Sequence, residues 1–244
     1  MQKVRLDQLV VSRGLVISRS QAESQIKLGN IIVEGRAITR AGTLVWPTAT
    51  IEITEKSQYV SRAGMKLASV AETLKLSFKS KTVLDVGSST GGFTDYALQN
   101  GAKKVIAVEL GTEQLHPSLR SDIRIELHEK TDIRDYVKTV KPKPSIDIVV
   151  MDVSFISLRE ILPSVASLCN KNTDIVAMVK PQFEARMSNA THKGVIKNEK
   201  LRREILKDFE DWAKQSFVIR DKADSDIAGA KGNRERFYLL RSTR

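Results

Sequence analysis

The stretch "TVLDVGSSTGGFTD", residues 82–95, joins an apolar run to a glycine-containing turn and then to the start of a helix. Glycine at 87, 91 and 92 lets a backbone turn tightly and approach a ligand closely, at the edge of a sheet where folds of this kind bind nucleotides. Outward from it, apolar runs recur at "KVIAVEL", "RIELH", "IDIVVMD", "DIVAMVK" and "RFYLL", with helix-like stretches between several of them. That alternation predicts an α/β domain built on a doubly wound, mostly parallel sheet.

The turn also constrains its ligand. Its glycines do not follow G-x-G-x-x-G, which disfavours a dinucleotide, and no Gly-Lys-Ser/Thr ending supports a phosphate-binding loop. Glu109 closes the next apolar run, 24 positions after Asp85, where an acid can accept hydrogen bonds from both hydroxyls of a ribose. Asp85 beside the turn suits an ammonium rather than a pyrophosphate. A ribose, an amino-acid part and no phosphate together describe S-adenosylmethionine. Its expected binding residues are Asp85, Gly87, Ser88, Ser89, Thr90, Gly91, Gly92, Phe93, Glu109 and Asp152, with Asp132 placed to accept the adenine amino group. A structural loop would explain a lone glycine-rich turn, and a surface turn would explain Asp132.

Composition narrows the class. The chain has 244 residues, 41% of them hydrophobic, enough for one medium core and a small second one. A net charge of +11 points to a polyanionic partner, nucleic acid or an anionic membrane. No apolar stretch reaches the length a bilayer demands, and "MQKVRLDQLV" lacks the apolar centre of a secretion signal, so a cytosolic, non-membrane protein is expected. One cysteine, Cys169, and three scattered histidines leave no basis for a disulfide framework or a metal site. Oligomeric state is not legible.

Residues 1–56 read as a separate small domain, 57–62 as a linker and 63–244 as the sheet domain. Within the first, "RLDQLVVSRG" and "SRSQAESQIKLG" are short helices, closed at Gly14 and Gly29, and Ser18 with Gln21 has capping-box spacing. "VEGR" offers a hairpin turn at Glu34-Gly35, and "TIEIT" alternates as a half-buried strand does. This segment resembles the S4 RNA-binding domain, an α+β fold. The resemblance implies contact with structured RNA by phosphate and shape readout, through Arg5, Arg13, Arg19, Lys27, Arg36 and Arg40.

In the second domain, "IVAMVKPQFE", residues 175–184, ends an apolar run on Lys180, and Pro181 holds that lysine extended. Asp152 likewise follows "IDIVVM", so both side chains are expected at the carboxyl ends of strands. Lys66 borders the helical stripe of Leu67, Val70, Ala71 and Leu74, a place where snorkelling surface lysines are common. Glu235 precedes "RFYLL", where an ordinary turn acid would also serve.

The domain resembles the FtsJ ribose 2′-O-methyltransferases, Rossmann-like class I enzymes with a seven-stranded sheet and helices on both faces. Lys66, Asp152, Lys180 and Glu235 fit that family's Lys-Asp-Lys-Glu catalytic order. With the S4-like front, the whole chain resembles the TlyA family of haemolysin-labelled ribosomal RNA (cytidine-2′-O)-methyltransferases. "YVSRAGMKL", "DVGSSTGGFTD", "DVSFISL", "VKPQFE" and the "GN-x-E" of "GNRERF" carry the match. It implies S-adenosylmethionine as cofactor, ribosomal RNA or ribosomal subunits as partner, and Lys180 accepting or polarising the 2′-hydroxyl proton while the acids hold the lysines. The chain departs from the pattern at Glu109 in "VELG", at "EKTD", and in the glycine-poor "RMSNATHKGVIKNEKL". Competing readings are a non-catalytic RNA-binding assembly factor, a membrane-active haemolysin, and a methyltransferase for protein or a small molecule.

Overall fold

The structure, a computed structural model, describes residues 2–16, 19–27, 29–54, 58–185, 194–229 and 232–243. The chain divides into two compact units, Met1–Arg62 and Ala63–Arg244. Each is considered by itself.

The first unit runs β1 (Val4–Arg5), α1 (Leu6–Ser12), α2 (Arg19–Lys27), β2 (Ile31–Val33), β3 (Arg36–Ala37), β4 (Leu44–Val45) and β5 (Ile51–Ile53). The hairpin turns at Glu34-Gly35, and β2 pairs antiparallel with both β3 and β5. After α1, Gly14 N–H donates to the Val11 carbonyl and Leu15 N–H to that of Val10, the paired bonds that satisfy a helix end; Gly29 and Asn30 repeat the arrangement on Ile26 and Gln25. The expected Ser18 cap lies outside the described residues. Leu6, Val10, Ala22, Ile26 and Ile31 are fully buried and form the core. The antiparallel pair β1–β4 has no sequence signal, since two residues a side are too few for any periodicity.

The second unit runs α3 (Arg62–Ala71), β6 (Thr82–Val86), α4 (Gly92–Gln99), β7 (Lys104–Val108), α5 (Pro117–Arg120), β8 (Ile125–His128), α6 (Ile133–Thr139), β9 (Ile148–Met151), α7 (Leu162–Ala166), β10 (Asp174–Val179), α8 (Pro181–Glu184), α9 (Glu199–Ala213), β11 (Phe217–Asp224) and β12 (Arg236–Ser242). One seven-stranded sheet has the order β11-β12-β10-β9-β6-β7-β8. The five strands β6 to β10 pair in parallel, and β12 runs antiparallel to β10 and β11. Leu84, Ile106, Val149 and Ile175 face α6, α7 and α9 across one core, while the intervening Val83, Val105, Ile148 and Val176 are equally buried on the other side. Burial on both faces is why these strands read as unbroken apolar runs. Strand β11 gave no such run. It is an edge strand, and its "RDK" centre faces solvent, as protected edges do.

Because β6 pairs with β7 on one side and β9 on the other, the chain order reverses around it. The crevice beyond its carboxyl end is where ligands settle in such sheets.

Candidate active site

A cavity of about 680 Å³ opens at that crevice, within the range of small-molecule sites. Gly87 after β6, Glu109 after β7, Asp132 after β8 and Asp152 after β9 all line it, together with Ser89. Gly87 has φ +79°, and a Cβ there would lie 2.8 Å from the Asp152 carbonyl oxygen, so glycine alone allows the two strand ends to approach. The Glu109 carboxylate is fixed from behind: Oε2 accepts from Ser89 N–H at 2.8 Å and Oε1 from Gly111 N–H at 2.6 Å. Each oxygen keeps a further lone pair for a ligand hydroxyl.

The other residues expected to bind cofactor stand elsewhere. Ser88 and Phe93 are buried, and Phe93 packs against Phe237 with ring centroids 6.0 Å apart. A Cβ on Gly91 would meet the Leu115 and Leu119 methyls at 2.6 Å, so this glycine serves packing. Thr90 accepts the His116 N–H through its carbonyl, and Gly92 begins α4. The second half of the turn therefore builds the helix start, and none of Ser88, Thr90, Gly91, Gly92 or Phe93 is on the cavity wall. Asp85 also lies behind the wall, fully buried. Its Oδ2 accepts from Thr94 Oγ1 at 2.7 Å while Oδ1 has no hydrogen-bond partner among the described residues. Burial, with the nearby negative charges of Asp152 and Glu109, pushes its pKa up to about 7. Asp132 lines the cavity but is already engaged. It caps α6 through Arg134 N–H, and Arg134 grips both its oxygens, at 3.0 and 2.6 Å, which lowers its pKa.

Lys66, Asp152, Lys180 and Glu235 form two ion pairs. Lys66 Nζ lies 2.5 Å from Glu235 Oε2, with the two side chains 10% and 4% exposed; Lys180 Nζ lies 2.6 Å from Asp152 Oδ1. Lys66 is therefore buried by its partner and does not snorkel. In the β10–β12 ladder Val179 opposes Arg236, so one further step sets Lys180 opposite Glu235. That register brings one member of each pair to neighbouring strand ends at the sheet's carboxyl edge. Lys180 also donates to Ser154 Oγ at 2.8 Å. Asp152 Oδ1, although in ionic contact, accepts no well-directed hydrogen bond among the described residues.

Two supports of this cluster were not legible in the sequence. Glu184, ending "KPQFE", is 1% exposed and accepts from Ser157 Oγ at 2.6 Å and Leu158 N–H at 2.7 Å, with Arg159 Nε at 3.4 Å. It thereby ties the segment after β10, which carries Lys180, to the segment after β9, which carries Asp152 and Ser154. Gly229 passes so close to Glu235 that a Cβ would stand 2.8 Å from Oε1.

In the first unit, three of the expected RNA-binding arginines have structural partners. Arg5 and Arg19 both pair with the fully buried Asp7, at 2.9 and 2.8 Å, and Arg5 is the larger cause of holding its pKa at about 2. Arg13 donates to the Ala49 carbonyl at 2.6 Å and to that of Pro47. Lys27, Arg36 and Arg40 are exposed.

Strand order, switch-point turn and cavity are those of a Rossmann-like methyltransferase, and the FtsJ-like methyltransferase family matches residues 59–242. The S4 domain matches residues 4–51. The chain is 37% identical to "Hemolysin A" of Brachyspira hyodysenteriae over 95% of its length and 97% of that protein. It is 34% identical to "16S/23S rRNA (cytidine-2'-O)-methyltransferase TlyA" of Mycobacterium tuberculosis, across 99% of this chain and 91% of that one. A solved structure described as "Putative hemolysin from Streptococcus thermophilus" superposes with a TM-score of 0.76 at 34% identity, covering 100% of this chain and 90% of the other. The chain belongs to the TlyA family, an S4 domain followed by an FtsJ-like methyltransferase domain.

Proposed function

We propose that the protein transfers the methyl group of S-adenosylmethionine to the 2′-hydroxyl of a cytidine ribose in ribosomal RNA, acting in the cytoplasm. The observation that carries this reading is the pairing of a buried lysine, Lys66, and a largely covered one, Lys180, with two carboxylates, one of which, Asp152, also lines the cavity. Such a set has no use in a passive RNA-binding factor.

The residues present fit the cofactor. Glu109, held from behind by two backbone donors, offers its free lone pairs to ribose hydroxyls. The Oδ1 of Asp85, unpartnered among the described residues, leaves acceptor capacity behind the turn for an ammonium group, reached through water. Because Asp132 is occupied by Arg134, it offers the adenine amino group at most a spare lone pair. When bound, S-adenosylmethionine supplies a methyl group already activated by a sulfonium, so the protein must add position and proton removal.

Lys180 Nζ, fixed between Asp152 Oδ1 and Ser154 Oγ, holds the ribose 2′-oxygen by hydrogen bond. The proton leaves that oxygen for the Lys180–Asp152 pair, reaching it at Lys180 Nζ, which lies 2.6 Å from Asp152 Oδ1 and can hand a proton on to it. Lys66 and Glu235 form the second ion pair of the set, in which Glu235 fixes the position of the Lys66 ammonium. The S4 unit, as residues 1–56 joined by 57–62 to the methyltransferase part 63–244, docks structured RNA with Lys27, Arg36, Arg40 and the outer edges of Arg5, Arg13 and Arg19. Net positive charge and the kinship with proteins named for ribosomal RNA methylation support this assignment. Methyl transfer to isolated small and large ribosomal subunits, followed by mapping of the modified ribose, tests it. A methylated cytidine 2′-oxygen in either subunit is expected; methylation of protein alone overturns the reading.

A further inference from the structure

Outside the cavity, the first unit exposes an aromatic surface that its fold does not use. Strands β1 and β4 form a two-stranded ribbon in which Arg5 opposes Leu44 and Val4 opposes Val45. One further step sets Lys3 opposite Trp46, and Lys3 Nζ indeed lies 5.2 Å from the centre of the Trp46 ring. Side chains alternate along a strand. Val45 accordingly points into the core, 8% exposed, while Leu44 and Trp46 point outward at 59% and 52%. Arg13 is anchored on the carbonyls of Pro47 and Ala49, which places its guanidinium beside the chain just after Trp46.

An indole this exposed costs free energy in water and contributes little to the small core beneath it. Its neighbours decide what it suits. Lys3 puts positive charge over one face of the ring, Arg13 is held on the chain just after it, and Asp7, at the start of α1, is fully buried and neutralised by Arg5 and Arg19. A π-face bordered by cations matches the stacking platforms that hold unpaired bases while their phosphates are neutralised.

We infer that Trp46 stacks on an unpaired nucleobase of the RNA substrate, with Lys3 and Arg13 meeting the flanking phosphates. This rests on the reading that the substrate is RNA, and it adds a contact for a looped-out or single-stranded nucleotide to the backbone contacts of an S4 domain.

The chain has two tryptophans, and Trp212 packs against Phe209 and Phe217. Trp212→Phe in the full-length protein therefore leaves Trp46 as the reporter. Single-stranded oligocytidylate is expected to quench its emission, and a fully paired RNA duplex to leave it unchanged. Trp46→Ala should weaken binding to ribosomal subunits roughly 5- to 150-fold, the range of one base–aromatic stack, while Trp46→Tyr restores it. Should Trp212→Phe fold poorly, the difference in emission between the parent and Trp46→Phe gives the same readout.

Unchanged Trp46 emission with every RNA, in a protein that still methylates ribosomal RNA, overturns the inference and leaves the enzyme reading standing. Quenching by anionic lipid vesicles but not by RNA also overturns it, in favour of a membrane contact. A parent protein that binds no RNA at all removes both.

Discussion

Glu235→Ala isolates what the buried pair with Lys66 is worth. The two side chains are 10% and 4% exposed and 2.5 Å apart, so truncating the acid strands a buried ammonium without its counter-charge. Removing one partner of a buried pair costs about 3–5 kcal/mol. In a domain of this size each kcal/mol moves the melting midpoint by about 2–4 °C, giving a fall of roughly 6–20 °C. The double variant Lys66→Met/Glu235→Leu removes both charges and fills the space, so it should recover most of that stability. Both variants lose methyl transfer. Thermal unfolding of the three proteins, followed by circular dichroism, is the assay. If Glu235→Ala melts within about 1 °C of the parent, the pair is not the desolvated contact described and the reasoning fails.

Three further expectations follow the same logic. Glu184→Ala frees the Ser157–Leu158 segment and should lower kcat by about 10²-fold with little change in RNA binding; Glu184→Gln, which keeps an acceptor oxygen, should restore part of it, and an unchanged kcat in the alanine variant would deny the clamp a role. Asp7 has its folded pKa lowered to about 2, so its contribution is full above about pH 4 and is lost as pH falls toward 2. An S4-domain melt that is flat across that window, or one unaltered by Asp7→Asn, contradicts this. Asp85 behaves oppositely: its folded pKa is raised to about 7, so the folded state binds the extra proton and stability declines as pH climbs from about 4 to 7. Asp85→Asn should therefore gain stability over the parent at about pH 8 but not at about pH 4, as read from paired denaturant titrations.

Much of the sheet was written in its strands. Parallel strands buried on both faces must be apolar throughout, which made β6, β7, β9 and β10 visible, and with them the positions of Gly87, Glu109, Asp152 and Lys180 at their carboxyl ends. Partner choice was less visible. Asp132 and Arg134 are two residues apart, yet that the arginine would occupy the carboxylate depends on how α6 begins. Gly91 looked like a ligand glycine because its type fits one, whereas its neighbours turned out to be Leu115 and Leu119. Glu184 is 27 positions from Ser157, and only the closure of two strand ends reveals the contact. In the first unit the same limit applied to the arginines. A basic residue near a helix start suggests a phosphate contact, but Asp7, fully buried, claims Arg5 and Arg19 first.

The central claim is that Lys180, fixed by Asp152 and Ser154, activates the ribose hydroxyl without holding the cofactor. Single-turnover methyl transfer to ribosomal subunits by Lys180→Met, with S-adenosylmethionine binding measured on the same preparation by calorimetry, tests it most directly. Transfer should fall by about 10²- to 10⁴-fold while cofactor affinity stays within a factor of about three. Transfer at the parent rate, or loss of cofactor binding in step with loss of transfer, would contradict it.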